Sequence, residues 1–131
     1  MAYTLNELYN ETVQKKELRF APTHIQPKSI DGLAGAPLLA DGTMMAFNTS
    51  TTFWEPWTPA GLNGTGTCRG FLRGASQTHA TLEVIAPVMV EGTLHRDDVP
   101  LNGETQANVD IELRICKTRG PFFVQGLDEV N

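Results

Sequence analysis

The fold is decided by residues 81–99, TLEVIAPVMVEGTLHRDDV, the most strand-like stretch of the chain. Aliphatic and β-branched residues dominate its first half, and this composition favours β-strands. Proline has no N–H to donate to a β-ladder, so Pro87 indicates a sheet edge, a bulge or a turn between two strands. The polar residues from Gly92 to Val99 close the segment, and residues 100–103 are predicted to form a turn.

Weaker strand signals lie upstream of this stretch. Residues 68–72 indicate a short strand, and residues 36–47 are interpreted as a hairpin. Asp41-Gly42 at the middle of that hairpin is a pair preferred in two-residue type I′ turns. Residues 21–35 carry two prolines and two glycines, which predicts a loop or extended backbone without a regular element.

Residues 48–66 are predicted to form a long loop that carries unusually large apolar side chains. Phe53, Trp54 and Trp57 lie among threonines and prolines, and three glycines follow. Long ordered loops in small domains are usually functional, and these side chains are of the type enriched in protein interfaces. We therefore name them as candidates for a protein–protein interface. Packing under the loop and a stacking platform for a sugar or base remain open alternatives.

Residues 1–24 are predicted to be an N-terminal arm or a short helix. Thr4 and Glu7 have the spacing of a capping box, but the apolar residues that follow make only a thin stripe. Residues 25–125 form the expected single domain, and residues 126–131 form a loose acidic tail. The candidate contact residues of the arm are Tyr3, Leu5, Leu8, Tyr9 and Phe20.

Residues 104–119 fit two structures. Val109, Ile111, Leu113 and Ile115 alternate with polar residues as in a strand, yet the same residues also group on faces of a helix. Gly120-Pro121 is a suitable helix stop, and residues 122–124 indicate a last short strand. Together these elements predict a mainly β fold with a short helix, an α+β domain with an extended N-terminal arm.

Composition narrows the classes of function. The net charge is −5 and the sequence pI is about 5.1, so direct binding to nucleic acid or to an anionic membrane is disfavoured. Cys68 and Cys116 lie far apart without CxxC spacing, and we interpret them as two reduced, partly buried thiols.

No group of residues supports a catalytic assignment. His95-Arg96-Asp97-Asp98 could suggest acid–base or metal chemistry, but adjacent strand residues point to opposite faces, so we interpret the cluster as a polar turn or surface salt bridge. His24, His79 and His95 share no metal-ligand spacing. Residues 61–66 are glycine-rich but precede a strand rather than a helix, unlike a phosphate-binding loop. We expect no enzyme activity, cofactor or metal.

The order of these signals from residue 36 resembles the lambda-type phage head decoration family. The segments that carry the resemblance are PLLAD at 37–41, MMAF at 44–47, RGFL at 69–72, VMVEGTLHRDDV at 88–99, a closing helix at 104–119 and a final β segment at 120–124. The longer N-terminus, the tryptophan-containing loop and the acidic tail depart from the family pattern.

The resemblance implies a β-rich fold and a homotrimer that binds the major capsid protein, so Phe53, Trp54 and Trp57 become candidates for the trimer or capsid interface. It places the trimer on the outer surface of the virion, after synthesis in the host cytoplasm, at three-fold and quasi-three-fold positions of the expanded capsid. There it would stabilise the shell, with the N-terminal arm ordering against it. A carbohydrate- or host-surface-binding β module of a virion, using Trp54 and Trp57, is the alternative.

Overall fold

A computed structural model describes residues 23–127, and the fold is mainly β with one α-helix. This confirms the predicted fold class. In chain order the elements are β1 (His24–Ile30), β2 (Leu38–Leu39), β3 (Met44–Asn48), β4 (Phe53–Pro56), β5 (Gly70–Leu72), β6 (Ser76–Gln77), β7 (Val84–His95), a 3-10 turn (Arg96–Asp98), α1 (Gln106–Arg119) and β8 (Phe122–Gln125).

Strand β7 is the centre of the fold and runs unbroken through Pro87. Pro87 lies opposite Pro27 of the antiparallel strand β1. Because neither proline has a backbone N–H, this position of the ladder has no donor that could be left without an acceptor. The Pro87 carbonyl instead accepts the Arg73 N–H at 2.9 Å on the other side. The predicted turn between two strands at Pro87 is therefore wrong, because the two prolines share a position that needs no N–H from either strand.

The main sheet closes on itself and encloses one of two cores. Its order is β1-β4-β3-β5-β7-β8, and β1 also pairs with β7, so the first five of these strands form a ring. The enclosed core consists of Ile30, Leu39, Met45, Leu72, Ala86 and Val88. Gly70 of β5 permits the close approach to β7, because a Cβ there would collide with the Val88 side chain.

The second core lies between the outside of the sheet and α1. Phe71 of β5 meets Phe122 of β8 edge to face, with ring centroids 5.0 Å apart. Their main neighbours in this core are Met44, Met89, Leu94, Val99, Val109, Leu113 and Val124. Two cores of this kind explain why β7 is apolar on both faces, since it packs inward on the ring and outward on the helix.

Helix α1 settles the ambiguity of residues 104–119. The Thr105 hydroxyl accepts the Asn108 N–H at the start of the helix. The helix ends at Gly120, whose φ of 74° suits a glycine, and Pro121 follows. Val109 and Leu113 face the core, and the helical reading is the correct one.

Three upstream predictions need correction. Residues 36–47 are not a hairpin: β2 pairs with β6, and β3 pairs with β4 and β5. Gly42 does occupy a turn with φ of 87°, but that turn joins strands that are not paired with each other. Residues 24–30 form strand β1 rather than an irregular segment, and β4 lies inside the predicted loop 48–66. These local patterns were overridden by long-range pairing.

The proposed domain limits shift at both ends. His24, assigned to the N-terminal arm, belongs to β1, where its Nδ1 contacts Glu91 at 2.6 Å. Leu127, assigned to the loose tail, is buried in the core against the helix. Residues 1–22 and 128–131 lie outside the described part of the chain, so the arm and the end of the tail stay predictions.

Candidate interaction surfaces

An apolar strip runs along the outer face of the β1–β7 ribbon. The register places Pro27 opposite Pro87, with Ile25 two residues before Pro27 and Ile85 two residues before Pro87. Side chains two residues apart on a strand point to the same face, so these four share one surface. Ile25 and Ile85 are 48% and 63% exposed, which is unusual for large aliphatic residues on a strand. We call this surface the β1–β7 strip.

A groove of about 400 Å³ opens beside Trp57. Its walls include Leu38, Pro56, Trp57, Pro59, Pro100 and Leu101. Leu38 and Leu101 keep much of their side chains exposed to solvent, while Trp57 packs against the second core and donates its indole N–H to the Gly66 carbonyl at 3.0 Å. The groove therefore combines apolar walls with polar groups, including Asn102 and Glu104, as in many sites that receive a side chain of a partner.

The outer face of α1 carries two exposed aliphatic side chains. Ile111 and Ile115 are one turn apart and are 56% and 45% exposed. Residues at this spacing are neighbours on the helix surface, so the two side chains form one patch. Their alternation with polar residues was one reason to expect a strand, yet the helix leaves them in solvent.

The predicted interface aromatics lie in a strand and at its end, not in an irregular loop. Trp54 in β4 packs against the ring core, with Phe47 at its edge and the Lys28 ammonium 5.3 Å from its ring centroid. Trp57 packs against the other core, and Phe53 is half-buried. The two indoles do not meet on one surface, which argues against a stacking platform shared by both. Their interface role stays a prediction.

The arm residues Tyr3, Leu5, Leu8, Tyr9 and Phe20 lie outside the described residues. Strand β1 begins at His24, so the segment that contains them leads directly into the β1–β7 strip. This continuity along the chain connects the proposed arm with an exposed apolar surface of the folded body.

The cluster at His95 is a structural turn, as predicted. The His95 Nδ1 accepts the Asp97 N–H at 3.0 Å and caps the 3-10 turn. Arg96 forms a bidentate pair with Asp110 of α1, with N–O distances of 2.7 and 3.1 Å. Hydrogen bonds from Arg96 lower the pKa of Asp110. Asp97 and Asp98 do not converge with a third ligand, and within residues 23–127 no group of three or more His, Cys, Asp and Glu could hold a metal.

A buried polar contact that the sequence analysis missed joins α1 to the segment before β5. Glu112 accepts the Cys68 N–H at 2.8 Å, and Arg119 donates to the Cys68 carbonyl at 2.6 Å. Both backbone groups of Cys68 are thus bound by one helix, in an arrangement that we call the Cys68 clasp. The helical spacing of Glu112, Cys116 and Arg119 was readable from the sequence, but nothing local pointed to Cys68 as their partner.

No protein-family model matches the chain, and no curated protein matches it significantly. The one helix found in residues 23–127 is too short and too polar to cross a membrane.

Proposed function

We propose that the chain is a viral head decoration protein that binds the expanded capsid as a trimer. The observation that carries the proposal is the set of exposed apolar surfaces on the small described body: the β1–β7 strip, the groove beside Trp57 and the outer face of α1. Exposed apolar side chains that group on one surface often mark sites of protein–protein contact, so partners are expected to cover them.

The resemblance supplies the class of partner. Its segments fall on β2, β3, β5, β7, α1 and β8, and the described fold has the β-rich architecture with one helix that the family implies. The motif at residues 88–99 belongs to the long central strand and its closing turn. Agreement of fold class supports the proposal without deciding it, because one fold serves many functions.

The proposed mechanism is multivalent clamping. A closed trimer presents three identical sets of contacts to a ring of capsid subunits. After one subunit binds, the other two bind intramolecularly, and avidity rises on the order of a hundredfold or more. The β1–β7 strip and the arm that precedes it would contact the shell. The bound trimer would bridge neighbouring capsomers and oppose the pressure of the packaged DNA.

Reconstitution with expanded, undecorated capsids of the encoding virus tests this proposal. Cryo-EM should show trimeric density on the outer surface at three-fold and quasi-three-fold positions. Absence of binding, or monomers placed elsewhere, would contradict it. Binding should depend on the strip: Ile85→Asp should weaken it about fivefold to thirtyfold, since a buried interface side chain contributes about 1–2 kcal/mol.

A matched control separates this effect from a general effect of added charge. Leu62 is 79% exposed and lies in the turn-rich segment before β5, away from the strip. Leu62→Asp makes the same chemical change and should leave capsid binding within about twofold of wild type. Equal loss of binding in both variants would show that the strip is not the contact surface.

A further inference from the structure

The fold brings the chain's two cysteines together in its interior. Cys68 precedes β5 and Cys116 lies in the last turns of α1, and both are fully buried and unoxidised. The Cys116 thiol lies 3.7 Å from the Cys68 carbonyl, so its sulfur is in contact with the Cys68 residue. The predicted reduced state agrees with this arrangement, but burial is complete rather than partial.

The Cys68 clasp holds this pair in place. Glu112 and Arg119 bind the N–H and carbonyl of Cys68 from positions that flank Cys116 on the helix. Arg119 also contacts the Cys116 sulfur at 3.7 Å. The backbone of one cysteine is therefore fixed relative to the side chain of the other, which reduces the reorganisation needed for a reaction between them.

The surroundings of the two sulfurs are unequal. The hydrogen bond from the Cys68 thiol lowers the pKa of Cys116, and the nearby Arg119 cation acts in the same direction. Burial raises the pKa of Cys68, and Glu112 adds to the rise. A thiolate is the reactive form of cysteine, and the Arg119 guanidinium contacts the Cys116 sulfur directly, so we assign Cys116 as the nucleophile and Cys68 as the residue that reacts second.

We propose that Cys68 and Cys116 are a redox-active dithiol that a hydroperoxide converts into an intramolecular disulfide. The Cys116 thiolate attacks one peroxide oxygen, the O–O bond breaks, and a sulfenic acid forms while hydroxide leaves. The Cys68 sulfur then displaces the sulfenic oxygen, which leaves as water with the Cys68 proton. The two sulfurs together lose two electrons, and hydrogen peroxide is reduced to two molecules of water.

The disulfide would tie α1 to the strand ring covalently. It would close a long chain loop between residues 68 and 116, and cross-links over such loops restrict the unfolded state strongly. The expected result is a rise in Tm on the order of 10 °C. Because the thiols are buried, small oxidants should react and bulky disulfide reagents should react slowly. The dithiol state would persist in a reducing cytoplasm, and the disulfide would form in an oxidising medium.

Peroxide treatment of the reduced full-length protein tests the proposal. Thiol titration under denaturing conditions should fall from two thiols to none, and non-reducing mass spectrometry should show a monomer that has lost two hydrogen atoms. The Tm should rise and return after treatment with a reductant. The proposal would be overturned if the folded protein kept both thiols under conditions that oxidise an unfolded control. A disulfide between two chains instead of within one would also overturn it.

Single variants test the order of the two steps. In Cys68→Ser, peroxide should produce a sulfenic acid at Cys116 that a dimedone probe traps. In Cys116→Ser, labelling of Cys68 should be at least about tenfold slower, because Cys68 lacks a stabilised thiolate. Equal labelling rates would refute the assigned roles. If either variant fails to fold, the loss of two thiols and the Tm shift in the wild-type protein still decide the main claim.

Discussion

Replacing Glu112 by alanine should destabilise the fold by about 2 kcal/mol. The Glu112 side chain is largely buried, with 6% of the residue exposed, and its carboxylate is the acceptor for the Cys68 N–H at 2.8 Å. Alanine leaves that buried N–H without an acceptor, which costs about 1–3 kcal/mol. It also removes the anion whose charge interacts with Arg119. A loss of this size corresponds to a fall in Tm of roughly 8 °C for a chain of this length.

Glu112→Gln should behave differently because glutamine keeps an oxygen that can accept the Cys68 N–H. Burial raises the pKa of Glu112, so the folded state retains the carboxyl proton to a higher pH than the unfolded chain does. The wild-type free energy of unfolding should therefore fall as pH rises from the ordinary glutamate range through the raised folded pKa. Glutamine does not titrate, so this part of the pH dependence should disappear.

Urea denaturation at several pH values measures both effects. Glu83→Ala is the matched control, because Glu83 is exposed and its loss should change the free energy of unfolding by less than about 0.5 kcal/mol. If Glu112→Ala unfolds at the wild-type midpoint, the Cys68 clasp does not stabilise the fold. If Glu112→Gln keeps the wild-type pH slope, the slope originates in another group.

Three further outcomes are expected. Asp110→Asn should lower the free energy of unfolding by about 1–2 kcal/mol at neutral pH, since it weakens the pair with Arg96. Because that pair lowers the pKa of Asp110, the difference between variant and wild type in urea denaturation should shrink as pH falls through the lowered pKa. Trp57→Ala should lower the free energy of unfolding by about 3 kcal/mol, since it removes a core-packed ring and the bond to Gly66; a loss of capsid binding with unchanged melting would contradict this. Deletion of residues 1–22 should preserve the wild-type circular dichroism melt, because both described cores lie downstream, but should abolish capsid pull-down; loss of folding would refute the arm hypothesis.

The tryptophans show where sequence patterns were informative and where they were not. Their position among prolines and glycines suggested a loop with exposed anchors. Strand β4 was missed because its partners, β3 and a single residue of β1, are set by pairing rather than by local composition. The same cause explains the failed hairpin at Asp41-Gly42, where the local turn chemistry was right but the strands pair elsewhere.

The periodicity of apolar residues could not by itself predict which surfaces stay exposed. Ile25 and Ile85 look like core residues in the sequence, and only the β1–β7 register places them together on the solvent side. Ile111 and Ile115 fit a strand or a helix equally well, and their exposure follows from which face of α1 packs on the sheet. Candidate interaction sites of this kind depend on what the rest of the chain leaves uncovered.

The sequence by itself determined the β-rich class, the strand character of residues 84–90, the helix stop at Gly120 and the final strand. These features depend on near neighbours: β-branched composition, side-chain alternation, and the conformations open to glycine and proline. Tertiary structure alone decided the closed strand ring, the Cys68 clasp and the meeting of Cys68 with Cys116. The β1–β7 pairing that closes the ring and the contacts of Cys68 join residues more than forty positions apart. Their partners are chosen by burial and packing of the whole chain, which no local pattern encodes.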